Sequence, residues 1–373
     1  MTLIQKSLLI ALGGILVVGC GDSSNGASSG SSSSSGGSTG GESTGSTGST
    51  ASDPTVIASG LNDPADLAVS GSTLLLSDNA PQGSDQSVPN AGSIERVPVA
   101  GGTPSEVVGS LYAPGAIAVD GSNLYWLDMD ASFDVQIKKA NLDGSSPSVL
   151  ATLGDSASVD QDTRLFAVND TLYWGDDSLG VMSLPTSGGS PTQLIAPSAL
   201  FGGPLVAAGS TGLVWTEGDG SNTLLRHAAL DGTGAATLTT FATGLDGVIY
   251  PAAVGVDGTN LVWFQVERSG GDDVSSLYEV ALTGGTPTKV LDYDGEVDAM
   301  AVDANGIYFH DDVAETEAVY KVTGSTSAIF HSAPNKLTTS ANNQRSLRLD
   351  AANLYWVSGG FNGGQAALHK KAR

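Results

Sequence analysis

Hydrophobic residues in this chain come in short runs, each closed by Gly, Asn, Pro or an Asp-Gly pair, and from residue 53 onward the runs recur in a fixed order. The clearest copy is IAVDGSNLYWLD (117–128), followed by IKKANLDG (137–144) and PSVLATLG (147–154). Its central triplet returns as LLL (74–76), LYW (124–126), LYW (172–174), LVW (213–215), LVW (261–263), IYF (307–309) and LYW (354–356), at intervals of 50, 48, 41, 48, 46 and 47 residues. A period in this range predicts a solenoid or a propeller. Each unit holds four apolar or alternating runs without helical periodicity, which predicts four strands per repeat and therefore a propeller blade.

The order of runs assigns each strand. The IAVD type is the inner strand, and turns such as DGSN (120–123) or DGTN (257–260) lead to the second, LYWxD strand. SIERVPV (93–99), LLRHAAL (224–230) and LYEVAL (277–282) are third strands, and GGTP (101–104, 284–287), GGSP (188–191) or LDG turns lead to the outermost. Six repeats have all four runs. The last has only SLRLD (346–350), NLYWVS (353–358) and ALHKKAR (367–373), while a spare strand, TVIASGL (55–61), precedes the first repeat. Pairing the two ends gives a composite blade that closes the ring and removes its edges. The expected fold is all-β, a seven-bladed propeller, with six or eight blades if a weak repeat such as the 41-residue interval around Gly209 is misread.

The string IAVDGSNLYWLD…IKKANLDGSSPSVLATL (117–153) resembles the YWTD repeat of lipoprotein-receptor propellers and is similar to bacterial propeller lipoproteins with LYWxD blades. The resemblance covers 55–373. The motif drifts through YWLD (125–128), YWGD (173–176), VWTE (214–217), VWFQ (262–265) and YWVS (355–358), and the count is seven where the YWTD class has six. It implies that Trp126, Asp128, Trp174, Asp176, Trp215, Trp263 and Trp356 are structural, packing blade against blade. It implies no activity, because propellers host many.

The N-terminus reads differently. Lys6 precedes an apolar stretch too short for a comfortable membrane span, and VVGC (17–20) resembles a lipobox, so 1–19 is expected to be a lipoprotein signal peptide and Cys20 the lipid attachment site. Residues 20–52 are almost wholly Gly, Ser and Thr, a composition with no apolar surface to offset ordering entropy, and are expected to be a disordered tether before the propeller at 53–373. The expected address is the bacterial cell envelope, the membrane held through lipid on Cys20, with the outer membrane or cell surface favoured over the inner membrane.

Composition narrows the chemistry. The 39 acids against 15 bases give a net charge of −24 and leave nucleic acid an unfavoured partner. One Cys and four His residues in non-equivalent repeat positions supply no disulfide framework and no stacked metal site. No GxSxG elbow occurs.

Strand-to-strand connectivity places about two-thirds of the 39 acids, Asp63, Asp66, Asp78, Asp128 and Asp176 among them, toward one loop face. Either repeat copying of turn-forming Asp puts them there, or the face binds a cation, a protein or a cationic ligand. Hard carboxylate oxygens suit Ca²⁺, and the local candidates are Asp128, Asp130 and Asp134, and Asp292, Asp294, Glu296 and Asp298, neither group matching an EF-hand. The functional expectation is an envelope lipoprotein whose propeller is a non-catalytic binding or scaffold module. The alternative is a propeller hydrolase or lyase using carboxylates at the channel mouth.

Overall fold

The computed structural model describes residues 54–79, 91–154, 163–176, 178–196, 205–209, 212–218, 222–242, 249–269, 272–295, 297–313, 316–333, 347–358 and 366–373. Cys20, the segment 1–52 and Glu296 lie outside the described residues, as does the side chain of Asp298. Ala51–Arg373 forms one compact unit, and every regular element among the described residues is a strand.

Seven four-stranded antiparallel sheets form the ring, six of them from consecutive strands. Blade 1 is typical, with Asp63–Ser70 innermost, then Thr73–Asn79, Gly92–Pro98 and Ser105–Leu111 outermost. The seventh sheet runs Thr55–Leu61, Ala366–Ala372, Asn353–Ser358 and Arg348–Leu349. The spare N-terminal strand therefore completes the last blade, with Thr55 opposite Lys370 and Leu61 opposite Ala366. The short interval at Gly209 is a true blade, in which Leu205–Gly209 pairs with Gly212–Gly218.

Turn chemistry fixes the hairpins. Asn169 and Asp170 both take positive φ, 49° and 59°, which a two-residue hairpin with right-handed twist demands. In the DGSN turn the Asp120 carboxylate accepts the amides of Ser122 and Asn123 at 2.7 Å and the Tyr125 hydroxyl at 2.6 Å. Asp350 repeats the arrangement with Ala352, Asn353 and Tyr355. Burial alone would raise both carboxyls, but these donors outweigh it and hold them below the usual range. At Gly144, φ is +84° and an added Cβ would overlap the Val107 carbonyl of the neighbouring blade, so only Gly fits.

The core lies between blades rather than within them. Trp126 packs against Leu75 and Ile94 of blade 1, while Tyr125 on its other flank meets Leu172 and Trp174 of blade 3. Trp215 meets Tyr173, Trp263 meets Val214, Phe309 meets Phe264, and Trp356 meets Tyr308 in the same way. Alternation along one strand sends the second triplet residue forward and the third backward, so each LYW run fills two interfaces. At the closing interface Leu76 packs against Tyr355 and Leu368.

Candidate active site at the channel mouth

Inner strands line the channel, and each begins on the face where the outer strand of the previous blade crosses over. That crossover leaves backbone amides without strand partners. In blade 2 the Asp128 carboxylate, at the end of the second strand, accepts the amides of Tyr112 and Ala113 at 3.1 and 2.8 Å. In blade 1, Asp78 does the same for Asn62 and Asp63, at 3.0 and 2.7 Å. Asp176 accepts the amides of Ser178 and Leu179 in its own loop, both at 2.8 Å. All three are essentially buried. Asp78 was expected on the acidic loop face, and Asp128 and Asp176 both there and as structural blade-motif residues; the structure buries all three, Asp78 and Asp128 on crossover amides and Asp176 on amides of its own loop.

The blades differ in what faces this latch from the third strand. In blade 2 the residue paired with Trp126 is Lys138, whose Nζ lies 2.7 Å from Asp128. In blade 4 the partner of Trp215 is Arg226, 3.8 Å from Glu217. In blade 7 the partner of Trp356 is His369, 2.6 Å from the Ser358 hydroxyl. Blades 3, 5 and 6 place uncharged residues there, Met182, Tyr278 and Tyr320, and in blade 1 the residue paired with Leu76 is Glu95, itself opposite Glu106 on the outer strand. Asp78 therefore has a like charge where Asp128 has a base.

Three carboxyls respond. Burial and the nearby Asp78 carboxylate push Asp63 up to about 6. Burial also raises Asp78, against the lowering effect of the Asn62 and Asp63 donors. Glu95 is raised by burial first and by Asp78 and Glu106 after, despite a 2.8 Å bond from Ser93. Asp63 is the half-buried first residue of an inner strand, at the end of the blade where the crossover enters. A carboxyl that is part protonated near neutral pH suits general acid–base work.

Three residues further along the strand, Asp66 is almost fully buried. It accepts Arg348 Nη2 at 2.5 Å, the Ile117 amide at 3.0 Å and the Leu67 amide at 2.8 Å. One carboxylate thus ties together the inner strands of blades 7, 1 and 2. Repeat alignment flagged neither Asp63 nor Glu95 as special. The available signal was Glu95 standing in register with Lys138 and Arg226.

Of the Ca²⁺ candidates, Asp128, Asp130 and Asp292 already hold protein partners. Asp128 is paired with Lys138, and the Asp130 carboxylate holds the amides of Ser132 and Asp134 and the Gln136 side chain. Asp292 accepts Ser276 Oγ and Lys289 Nζ, and Asp294 is exposed. Among the described residues no group of three or more His, Cys, Asp or Glu side chains is placed to hold a metal ion. The motif tryptophans Trp126, Trp174, Trp215, Trp263 and Trp356 are all buried.

No family model matches the chain, and no curated protein matches its sequence. Solved structures do share the fold. An oligogalacturonate lyase in complex with manganese aligns with TM-score 0.58 and 10% identity, over 84% of this chain and 90% of that one. The propeller of a trilobed protease from Pyrococcus furiosus, which has an open velcro topology, aligns at 0.53 and 10%, over 84% and 96%. A polysaccharide lyase, Uly1, aligns at 0.52 and 9%, over 83% and 90%. At such identities the likeness shows the propeller fold. Lyases stand among these neighbours, which goes against the expectation of a non-catalytic binding or scaffold module.

Proposed function

We propose that this protein is a propeller hydrolase or lyase in which Asp63 moves a proton at the channel mouth of blade 1. The reading is carried by one arrangement: half-buried Asp63 opens the inner strand of blade 1 beside the buried Asp78 carboxylate, and burial and that charge push its carboxyl up to about 6. Asp78 is the positioning residue, buried and bound to the Asp63 amide at 2.7 Å. Glu95 withholds the counter-charge that blades 2 and 4 supply at this register. Below its pKa Asp63 can protonate a leaving oxygen, and above it the carboxylate can abstract a proton. Polysaccharide lyases among the proteins of similar fold make a glycan chain the first substrate class to test. The LYWxD resemblance and the lipobox add an envelope setting, with the enzyme held to a membrane through Cys20 and the 20–52 tether.

The test is a panel of polysaccharides read two ways, by new reducing ends for hydrolysis and by ultraviolet absorbance of the unsaturated product for elimination. Activity should follow a titration near pH 6 and fall by about 10²–10⁴ in Asp63→Asn. An Asp63→Asn protein that keeps more than a tenth of wild-type turnover would remove the proposal.

A further inference from the structure

Blade 2 presents on the same face an aromatic ring held in a costly conformation. Phe133 lies in the turn between the second and third strands, 63% exposed, with φ +67°. Bulky side chains avoid that left-handed region. The other large hydrophobics so exposed among the described residues, Val56 and Val149, are aliphatic. The turn over-determines the strain. The Phe133 amide donates to the Asp130 carbonyl at 2.9 Å, and the Asp130 amide donates to the Asp134 carbonyl at 3.0 Å. The Asp130 carboxylate collects the amides of Ser132 and Asp134 at 2.8 and 3.1 Å and Gln136 Nε2 at 3.0 Å. Tyr112, from the crossover into this blade, meets the Phe133 ring edge-on, with centroids 5.4 Å apart at 82°. Strain retained by this many contacts marks functional sites.

We propose that Phe133, braced by Tyr112, is a stacking platform for an uncharged sugar ring of a glycan substrate, on the blade adjoining Asp63. The proposal deepens the acid–base reading above and rests on it. Tyr112 and Ala113 occupy in blade 2 the latched crossover position that Asn62 and Asp63 occupy in blade 1, so platform and acid share one rim. An exposed aromatic face offers dispersion and C–H contact to the apolar face of a pyranose. A cationic ligand is disfavoured because the nearby carboxylates are committed, Asp128 to Lys138 and Asp130 to its three donors. A polyuronate is disfavoured by the net charge of −24.

Affinity electrophoresis of the full chain tests this, with gels containing hydroxyethylcellulose, xylan, galactomannan, polygalacturonate or no polymer. At least one uncharged polymer should retard the wild type. Phe133→Ala should weaken that retardation about three- to tenfold, and Phe133→Tyr should restore it. Phe133→Gly accepts the positive φ, so it should fold like the wild type yet show the same weakening of about three- to tenfold. The platform is overturned if no uncharged polymer retards the wild type, if only polygalacturonate does, or if Phe133→Gly runs as the wild type does. Asp63→Asn separates the two readings. Retained retardation with lost turnover supports both, whereas retained retardation with retained turnover leaves the platform standing and removes the acid–base reading.

Discussion

Replacing Glu95 with Lys should stabilise the protein, and should do so only above acidic pH. In blade 2 the same register holds Lys138 at 2.7 Å from Asp128, with the lysine side chain 20% exposed and the carboxylate fully buried. A lysine at 95 would reproduce that pair with Asp78. The gain is one charge-assisted hydrogen bond, about 1.5–3 kcal/mol, less the Ser93–Glu95 bond, about 0.5–1.5 kcal/mol. Removing like charge from Asp78 and Glu106 adds a further increment, so a net gain of about 1–2 kcal/mol at pH 7 is expected. The pH dependence follows from the raised carboxyls. In the unfolded chain Asp63 ionises near 3.8, while in the fold it ionises near 6, so the folded state holds the extra proton between those values. Stability is therefore lost as pH rises from about 4 through 6. Glu95 and Asp78 are raised in the same direction, so lysine at 95, which removes the one and pairs with the other, should make little difference at pH 4 and give the full gain at pH 8. Urea unfolding followed by tryptophan fluorescence measures it directly, since the motif tryptophans sit buried at blade interfaces. Glu95→Gln should give an intermediate gain. A Glu95→Lys chain no more stable than wild type at pH 8, or equally shifted at pH 4 and 8, would refute the reasoning.

Other perturbations reach different parts of the molecule. Asp66→Ala strips the acceptor from Arg348 and from the buried Ile117 amide and should cost about 3–5 kcal/mol in the same assay, with a coupling of about 1–3 kcal/mol to Arg348→Ala in a double-mutant cycle. Gly144→Ala combines a left-handed backbone with overlap on the Val107 carbonyl; a loss of about 2–4 kcal/mol is expected from the urea midpoint. Cys20→Ala should release the protein from membranes into the soluble fraction, and continued sedimentation with membranes would count against a lipid anchor.

The architecture was legible because the hydrophobic triplets are both periodic and obligatory. Each LYW run serves two interfaces, so its spacing counts blades, and the closing strand was found at 55–61 because strands must pair. The site was not legible for two physical reasons. Asp78, Asp128 and Asp176 look like loop acids, and only their constant place two residues after the triplet hints that they serve buried amides. The pairing of Asp66 with Arg348 joins residues 282 positions apart, and it exists only once the ring is shut. The hairpin from Asn260–Ser269 to Asp272–Ala281 also outran its hydrophobic pattern, its ladder continuing through VERS and DDVS to Ser269 opposite Asp272. Backbone pairing in a tight hairpin does not require apolar side chains.

The composite blade also sets the order of events in folding. Six blades are each made from one continuous stretch of chain, so each can form as soon as its own hairpins meet. The seventh must bring Thr55–Leu61 to Ala366–Ala372 from opposite ends of the propeller sequence, and it has the highest loop-closure cost. Its inner strand is also the shortest, two paired residues at Arg348–Leu349. The propeller is thus a horseshoe with a clasp, last to shut on folding and first to spring on unfolding. Hydrogen exchange in the Thr55–Leu61 strand should run ahead of every other blade, and the lifetime of the ring is the lifetime of that one seam.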